Sequence, residues 1–142
     1  MPFDYHNKLM GKKRKENQDK LVSTIVEAIA EKKGEAIVSL EMSKLPNHIC
    51  KYFIICHADS TTQVSAIADN VEDKVIEHCK EKVWQKAGYE NNIWIILDYV
   101  DVVVHIFQTE WRYFYKLESL WADANRVNYE VNEKGEVVPT RA

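Results

Sequence analysis

The chain is poor in most of the features that announce a function. It holds three cysteines, Cys50, Cys56 and Cys79, an odd number with no CxxC spacing. Free thiols in a reducing compartment are therefore expected rather than a disulfide framework. No run of 18 apolar residues occurs, which excludes a membrane-spanning helix. The first residues lack the apolar segment of a signal peptide, so a cytoplasmic protein is expected. A formal net charge of −3 is wrong for a general nucleic-acid binder. Glycine is scarce, four residues in all, and none lies between His57 and Gln63. That stretch enters a helix and could otherwise wrap a phosphate closely. No internal repeat is found.

What is present suits one soluble domain. The 142 residues are 46% hydrophobic and 29% charged, enough for a sizeable core. The charge is uneven. Residues 1–20 hold six Lys/Arg against three Asp/Glu, whereas the remainder holds thirteen against nineteen. The body is acidic and fits a basic or neutral partner. Residues 1–16 read as a flexible basic N-terminal tail, because Lys12, Lys13, Arg14 and Lys15 have no apolar period to dock them. A solvated extension is the plainer reading; a contact with RNA phosphates is the functional one. Residues 17–126 form the domain, and 127–142 a C-terminal extension with at most an edge strand at 137–139.

Helical spacing of Leu21, Val22, Ile25, Val26 and Ile29 predicts a first helix over 17–33, stopped by Gly34. Strands follow at 36–41 and 52–56, with a turn at Leu45, Pro46 and Asn47. Ser60 with Gln63 fits a capping box for a second helix running to about Lys82, with Val64, Ile67, Ala68, Val71 and Val75 on its stripe. Two apolar, β-branched runs at 93–97 and 102–107 make a hairpin. A last helix is capped by Thr109 and buries Phe114, Leu117, Trp121 and Ala124. The order α-β-β-α-β-β-α gives a single-domain α/β sandwich, a small mixed sheet flanked by helices.

The hairpin organises the rest. With Tyr99 and Val100 as its loop, Leu97 faces Val102, Ile95 faces Val104 and Ile93 faces Ile106, an aliphatic side suited to the core. The other side carries Trp94, Ile96, Asp98, Asp101, Val103, His105 and Phe107. Unpaired buried carboxylates are costly, so this mixed side is expected to reach water or a partner. A three-residue loop would reverse the assignment.

Catalytic chemistry is thinly represented. Asp98 and Asp101 are spaced DxxD, which does not put two carboxylates on one strand face as DxD would. His57 and His105 are candidate bases, but no nucleophile is placed beside either, and a structural histidine is the plainer role. The rings of Trp94, Phe107, Trp111, Tyr113, Tyr115 and Trp121 exceed what one helix-on-sheet contact needs. Some are core, and some are expected to anchor an interface.

The run WIILDYVDVVVHIF, followed by Arg112, Phe114, Tyr115, Leu117, Glu118, Leu120, Trp121, Ala122, Asp123 and Ala124, resembles the ribosomal silencing factor family, also called the Iojap-like family. The upstream YFIIC, Ser60, Gln63, Val64 and Ala68–Val71 fit the same family, so the resemblance covers about residues 20–125. It implies a fold like a nucleotidyltransferase core without its catalytic motif, with no enzyme activity and no cofactor. It implies binding to the large ribosomal subunit through the L-fourteen ribosomal protein. Joining of the small subunit would be blocked sterically and translation repressed under nutrient limitation. A homodimer when free, and a role in large-subunit assembly as in organelle relatives, also come with the resemblance. The face carried over comprises Trp94, Asp98, Asp101, His105, Glu118 and Trp121. Two positions depart from the family pattern: many relatives have Gly at Val100 and Arg at Thr62. The hairpin turn is accordingly expected to avoid a positive φ at Val100. The alternative function is a metal-dependent nucleotidyltransferase-like enzyme using Asp98, Asp101 and His57.

Overall fold

A computed structural model describes residues 2–46 and 50–140. The chain runs α1 (Pro2–Glu31), β1 (Glu35–Glu41), β2 (Tyr52–Ala58), α2 (Thr61–Cys79), β3 (Gln85–Ala87), β4 (Trp94–Asp98), β5 (Val102–Gln108), α3 (Thr109–Tyr115), α4 (Leu117–Leu120), β6 (Asn125–Val131) and β7 (Val137–Thr140). The strands form one mixed sheet in the order β3-β4-β5-β2-β1-β6-β7. Its centre is a parallel β2–β5 ladder, and every other pairing is antiparallel. The expected α/β class is found, with three strands beyond the predicted four.

The two faces of the sheet are covered differently. Ile54, Cys56, Ile95, Leu97, Val104 and Ile106 point to α1 and α2. There they meet Ile25 and Ile29 of α1 and Ile67 and Val71 of α2, all fully buried. Each such side chain contributes about 2 kcal/mol of transfer free energy. Val38, Leu40, Phe53, Ile55, Val103 and Phe107 point the other way, toward Trp111, Leu117 and Trp121 of the short helices and the turn that follows. The aliphatic and mixed sides of the hairpin thus divide as the alternation predicts, but the mixed side does not reach water as expected: Val103, His105 and Phe107 are buried beneath the short helices.

The hairpin register is shifted by two residues from the expected one. Leu97 pairs with Val104 and Ile95 with Ile106. Because the shift is even, no side chain changes face. The loop is Val100–Asp101, so Asp98 and Asp101 do not oppose one another. Val100 has a φ of 76°, and the Asp101 N–H donates to the Tyr99 carbonyl at 3.0 Å. This is the strained positive-φ form of a γ-turn, here centred on a β-branched residue. The expectation that Val100 would avoid positive φ is therefore wrong. Asp98 supports the turn instead: its Oδ1 accepts from the Val100 N–H at 2.7 Å.

Other local expectations need correction. Residues 2–16, read as a tail, continue α1 without a break, and Lys12 to Asn17 are exposed along it. The first helix ends at Glu31, with Lys33 in the left-handed region. Gly34 is needed for proximity, since a Cβ there would lie 2.3 Å from Ile29 Cγ2. Ser60 caps α2 through the Gln63 N–H, but the Gln63 side chain does not close the capping box. It donates to the Lys32 and Lys33 carbonyls and ties the end of α1 to the start of α2. α2 stops at Cys79, where Lys80 turns left-handed, rather than near Lys82.

Asn47 of the predicted 45–47 turn lies outside the described residues. The C-terminal stretch is more than an extension: β6 pairs with β1 and β7 with β6, so it widens the sheet. Among the described residues no helix is long and apolar enough to cross a membrane.

Candidate functional site

The mixed face of the sheet is roofed by a helix that breaks. β5 runs directly into α3, and Thr109 is the first helical residue rather than the cap; its hydroxyl donates to Asp59 Oδ1. Gln108 stands at the cap and reaches the Asp59 carbonyl. Seven residues after Thr109, Lys116 enters the left-handed region at φ 48°, ending α3 and opening α4. A continuous helix would have kept Phe114, Leu117, Trp121 and Ala124 on one buried stripe. The break leaves Leu117, Trp121 and Ala124 half-buried against the sheet and turns Phe114 out, 70% exposed. The buried role expected for Phe114 is thus overturned. Tyr113 at 67% and Leu120 at 73% are also exposed, and Tyr115 is partly so.

These rings are joined to the core by successive contacts. Trp94 stacks on buried Phe107 and meets Tyr115, both at 4.8 Å between centroids. Tyr115 lies 5.2 Å from Phe114, which in turn lies 5.5 Å from Trp111. On the far side Phe53 meets His105 at 4.8 Å and Trp121 at 5.9 Å. Exposed rings packed against buried ones lose little side-chain entropy on binding, which suits interface anchors.

His105 is buried and acts from below. Its Nδ1 accepts from the Trp94 indole N–H at 3.1 Å. Burial pushes its pKa down from 6.5 to about 4, so it is neutral at physiological pH with the proton on Nε2. His57 also lies below the ordinary histidine range, first through burial and then through the Arg112 guanidinium; Glu35 and Asp59 pull the other way.

Arg112 is the charged group at the centre of the α3 roof. It is 7% exposed. Its Nε donates to Glu118 Oε1 at 2.7 Å, and one terminal nitrogen donates to the Ala36 carbonyl at 2.7 Å and contacts His57 Nδ1 at 3.0 Å. Ala36 presents that carbonyl because β1 shifts register between Glu35 and Val38, with φ 48° at Ala36. Glu118 also pairs with Arg126 at 3.0 Å, and His57 Nε2 lies 3.4 Å from Glu35. The network spans the roof, the start of β1, the end of β2 and the start of β6.

The six sequence-predicted residues are therefore divided. Trp94, His105 and Trp121 share the aromatic layer. Glu118 is held by two arginines. Asp98 and Asp101 sit at the far end of the hairpin, about 13 Å of strand from Trp94. Asp101 Oδ2 there accepts from Gln18 and its carbonyl from the Lys51 and Tyr52 N–H groups. Among the described residues no three His, Cys, Asp or Glu groups converge as metal ligands. The exposed Phe114 and Leu120 were missed because a left-handed lysine leaves no mark on helical spacing. The role of Arg112 was missed as well. A lone arginine between aromatic residues could have signalled a buried ion pair.

Comparison with known proteins adds the following. The family described as ribosomal silencing factor during starvation matches residues 15–141. The ribosomal silencing factor RsfS of Halalkalibacterium halodurans is 40% identical over 114 residues, 80% of this chain and 95% of that protein. The RsfS of Bacillus subtilis is 36% identical over 108 residues, 76% of this chain and 90% of that protein. A crystal structure of a Chromobacterium violaceum protein superposes with a TM-score of 0.69 at 32% identity, covering 73% of this chain and 85% of that one.

Proposed function

The chain belongs to the ribosomal silencing factor family, and we propose that it represses translation by occupying the large ribosomal subunit. In this reading it binds the L-fourteen ribosomal protein, prevents the small subunit from joining, and acts in the cytoplasm under nutrient limitation. The observation that supports this is the exposed aromatic roof: Tyr113, Phe114, Tyr115 and Leu120 stand in water, and Tyr115 is backed by Trp94 and buried Phe107. Exposed apolar side chains concentrated on one short segment favour a protein partner. Trp94, Trp121 and Glu118 border the roof, and Asp98 and Asp101 supply an acidic flank for a basic partner. His105 serves as a positioning residue that holds Trp94. The work is steric, so no catalytic group or cofactor is required.

The exposed cations Lys12, Lys13, Arg14 and Lys15 extend from the domain on α1 and fit a contact with ribosomal RNA phosphates. When free, the roof is suited to a second copy of the chain, so a homodimer and the ribosome would compete for it. A role in large-subunit assembly uses the same face. The enzyme alternative is not favoured, since Asp98 and Asp101 are engaged in holding the hairpin.

Co-sedimentation with isolated large subunits, followed by addition of small subunits, tests the proposal. Pelleting with large subunits and loss of the joined particle are expected. A protein that stays in the supernatant even at low salt, where charge steering is strongest, would overturn it.

A further inference from the structure

The contacts of His57 fix where its proton sits. A guanidinium only donates, so Nδ1, which lies 3.0 Å from an Arg112 terminal nitrogen, must accept. The neutral ring then carries its hydrogen on Nε2, 3.4 Å from a Glu35 carboxylate oxygen. Glu35 stands opposite His57 in the β1–β2 pairing and is largely exposed, whereas His57 is buried. A second proton has one place to go, Nδ1, where it faces the guanidinium. The hydrogen bond is then lost and two cations are left in contact in a buried site.

The charged groups around the ring divide by element. Arg112 belongs to α3 and is tied to Glu118 of α4, which also holds Arg126 at the start of β6. Glu35 at the start of β1 and Asp59 just past β2 belong to the sheet. Burial first, and then Arg112, disfavour the imidazolium; Glu35 and Asp59 favour it. Protonation therefore draws His57 toward the sheet carboxylates and leaves Arg112 with Glu118. The contact that breaks is the one that joins α3 to β2. What still fastens the roof is the Thr109–Asp59 bond at its root, the Ala36 carbonyl, and the packing of Trp111, Leu117 and Trp121. The roof is loosened and the sheet beneath it stays folded.

We propose that His57 is a proton-operated latch: neutral, it clamps the α3–α4 roof to the sheet through Arg112, and protonated, it releases the roof. Tyr113, whose ring lies 6.2 Å from the imidazole, and Phe114 beside it move with α3. The consequence, weaker association in acid, rests on the roof being the surface that meets the partner. The opening itself is a property of the free chain.

The test is amide hydrogen exchange on the free full chain between about pH 7.5 and about pH 5, read as protection factors, with the His57 titration followed in parallel by NMR. Residues 110–120 are expected to lose protection roughly tenfold along the His57 titration curve, while the core amides of α1 and α2 keep theirs. His57→Gln retains an acceptor for Arg112 and a donor for Glu35 but takes no proton, so protection of the roof should stay constant. His105 remains in that variant, so a loss that persists is not the latch's. Glu35→Gln removes an exposed charge that favours the imidazolium. It should move both the titration and the loss of protection to lower pH by roughly half a unit, and it serves as the test even if His57→Gln fails to fold. The proposal is overturned if protection at 110–120 is independent of pH, or if it falls equally in His57→Gln. It is also overturned if α1 and α2 lose protection in step with the roof, or if Glu35→Gln leaves the transition where it was. None of these measurements involves ribosomes. A roof that opens in acid on a chain that never pellets with large subunits overturns the silencing proposal alone.

Discussion

The indole of Trp94 donates to Nδ1 of His105 across neighbouring strands, and this one bond requires the imidazole to be neutral. Protonation would place a hydrogen on the accepting nitrogen and break it. Because the folded pKa is pushed down to about 4, the unfolded chain binds the proton more readily than the folded one. The stability contributed by the neutral ring is complete above about pH 6.5 and is lost as pH falls toward the folded value. Urea midpoints should therefore fall between pH 7 and pH 5. His105→Phe should flatten that part of the profile; an unchanged slope would show that the pH dependence arises elsewhere.

Val100→Gly should stabilise the protein. The valine sits at φ 76° with 59% of its surface exposed, so glycine relieves strain and forfeits little contact. Strain of about 1–2 kcal/mol is partly offset by the greater freedom of glycine in the unfolded chain. A net gain of about 1 kcal/mol is expected in denaturant unfolding. A loss would show that the turn is held in this form by something other than the backbone.

Arg112→Met should be among the most damaging single changes. It strands the Ala36 carbonyl and His57 Nδ1 and leaves Glu118 with Arg126 alone. Breaking a buried pair from one side costs about 3–5 kcal/mol. Arg112→Lys keeps the charge but cannot serve these partners in a fork, and should fall between. Calorimetry of both variants against the parent gives the order.

Phe114→Ala should do the opposite. With 70% of the ring in water, unfolding free energy should move by less than about 0.5 kcal/mol. Affinity for large subunits should drop roughly thirtyfold if the ring is an anchor. Undiminished co-sedimentation by Phe114→Ala and Tyr113→Ala would remove the roof from the proposed interface.

The hairpin was legible because alternation has a period of two and the slip in register was even, so Ile95, Leu97, Val104 and Ile106 kept their face. The stripes of α1 and α2 were legible because Ile25, Ile29, Ile67 and Val71 repeat at helical spacing. What the pattern hid is conformational. Lys116 and Val100 adopt positive φ without being glycine, and only tertiary context requires it. β6 was hidden for another reason: its half-buried residues alternate weakly, and pairing with β1 makes it a strand. The site was half legible. Ring content marked the region where the exposed rings lie, but which rings face water depended on the break at Lys116.

The parallel β2–β5 ladder has a consequence for how the molecule is made. Tyr52 must find Val102, and Ala58 must find Gln108, with all of α2, β3 and β4 between them. The β4–β5 hairpin has a turn of its own and can assemble locally, whereas the ladder at the centre of the sheet must wait for a long loop to close. This topology favours an order of assembly in which the finished hairpin has an open inner edge until the ladder closes. The unpaired edge of β5 is the point at which a crowded, half-folded population would aggregate first.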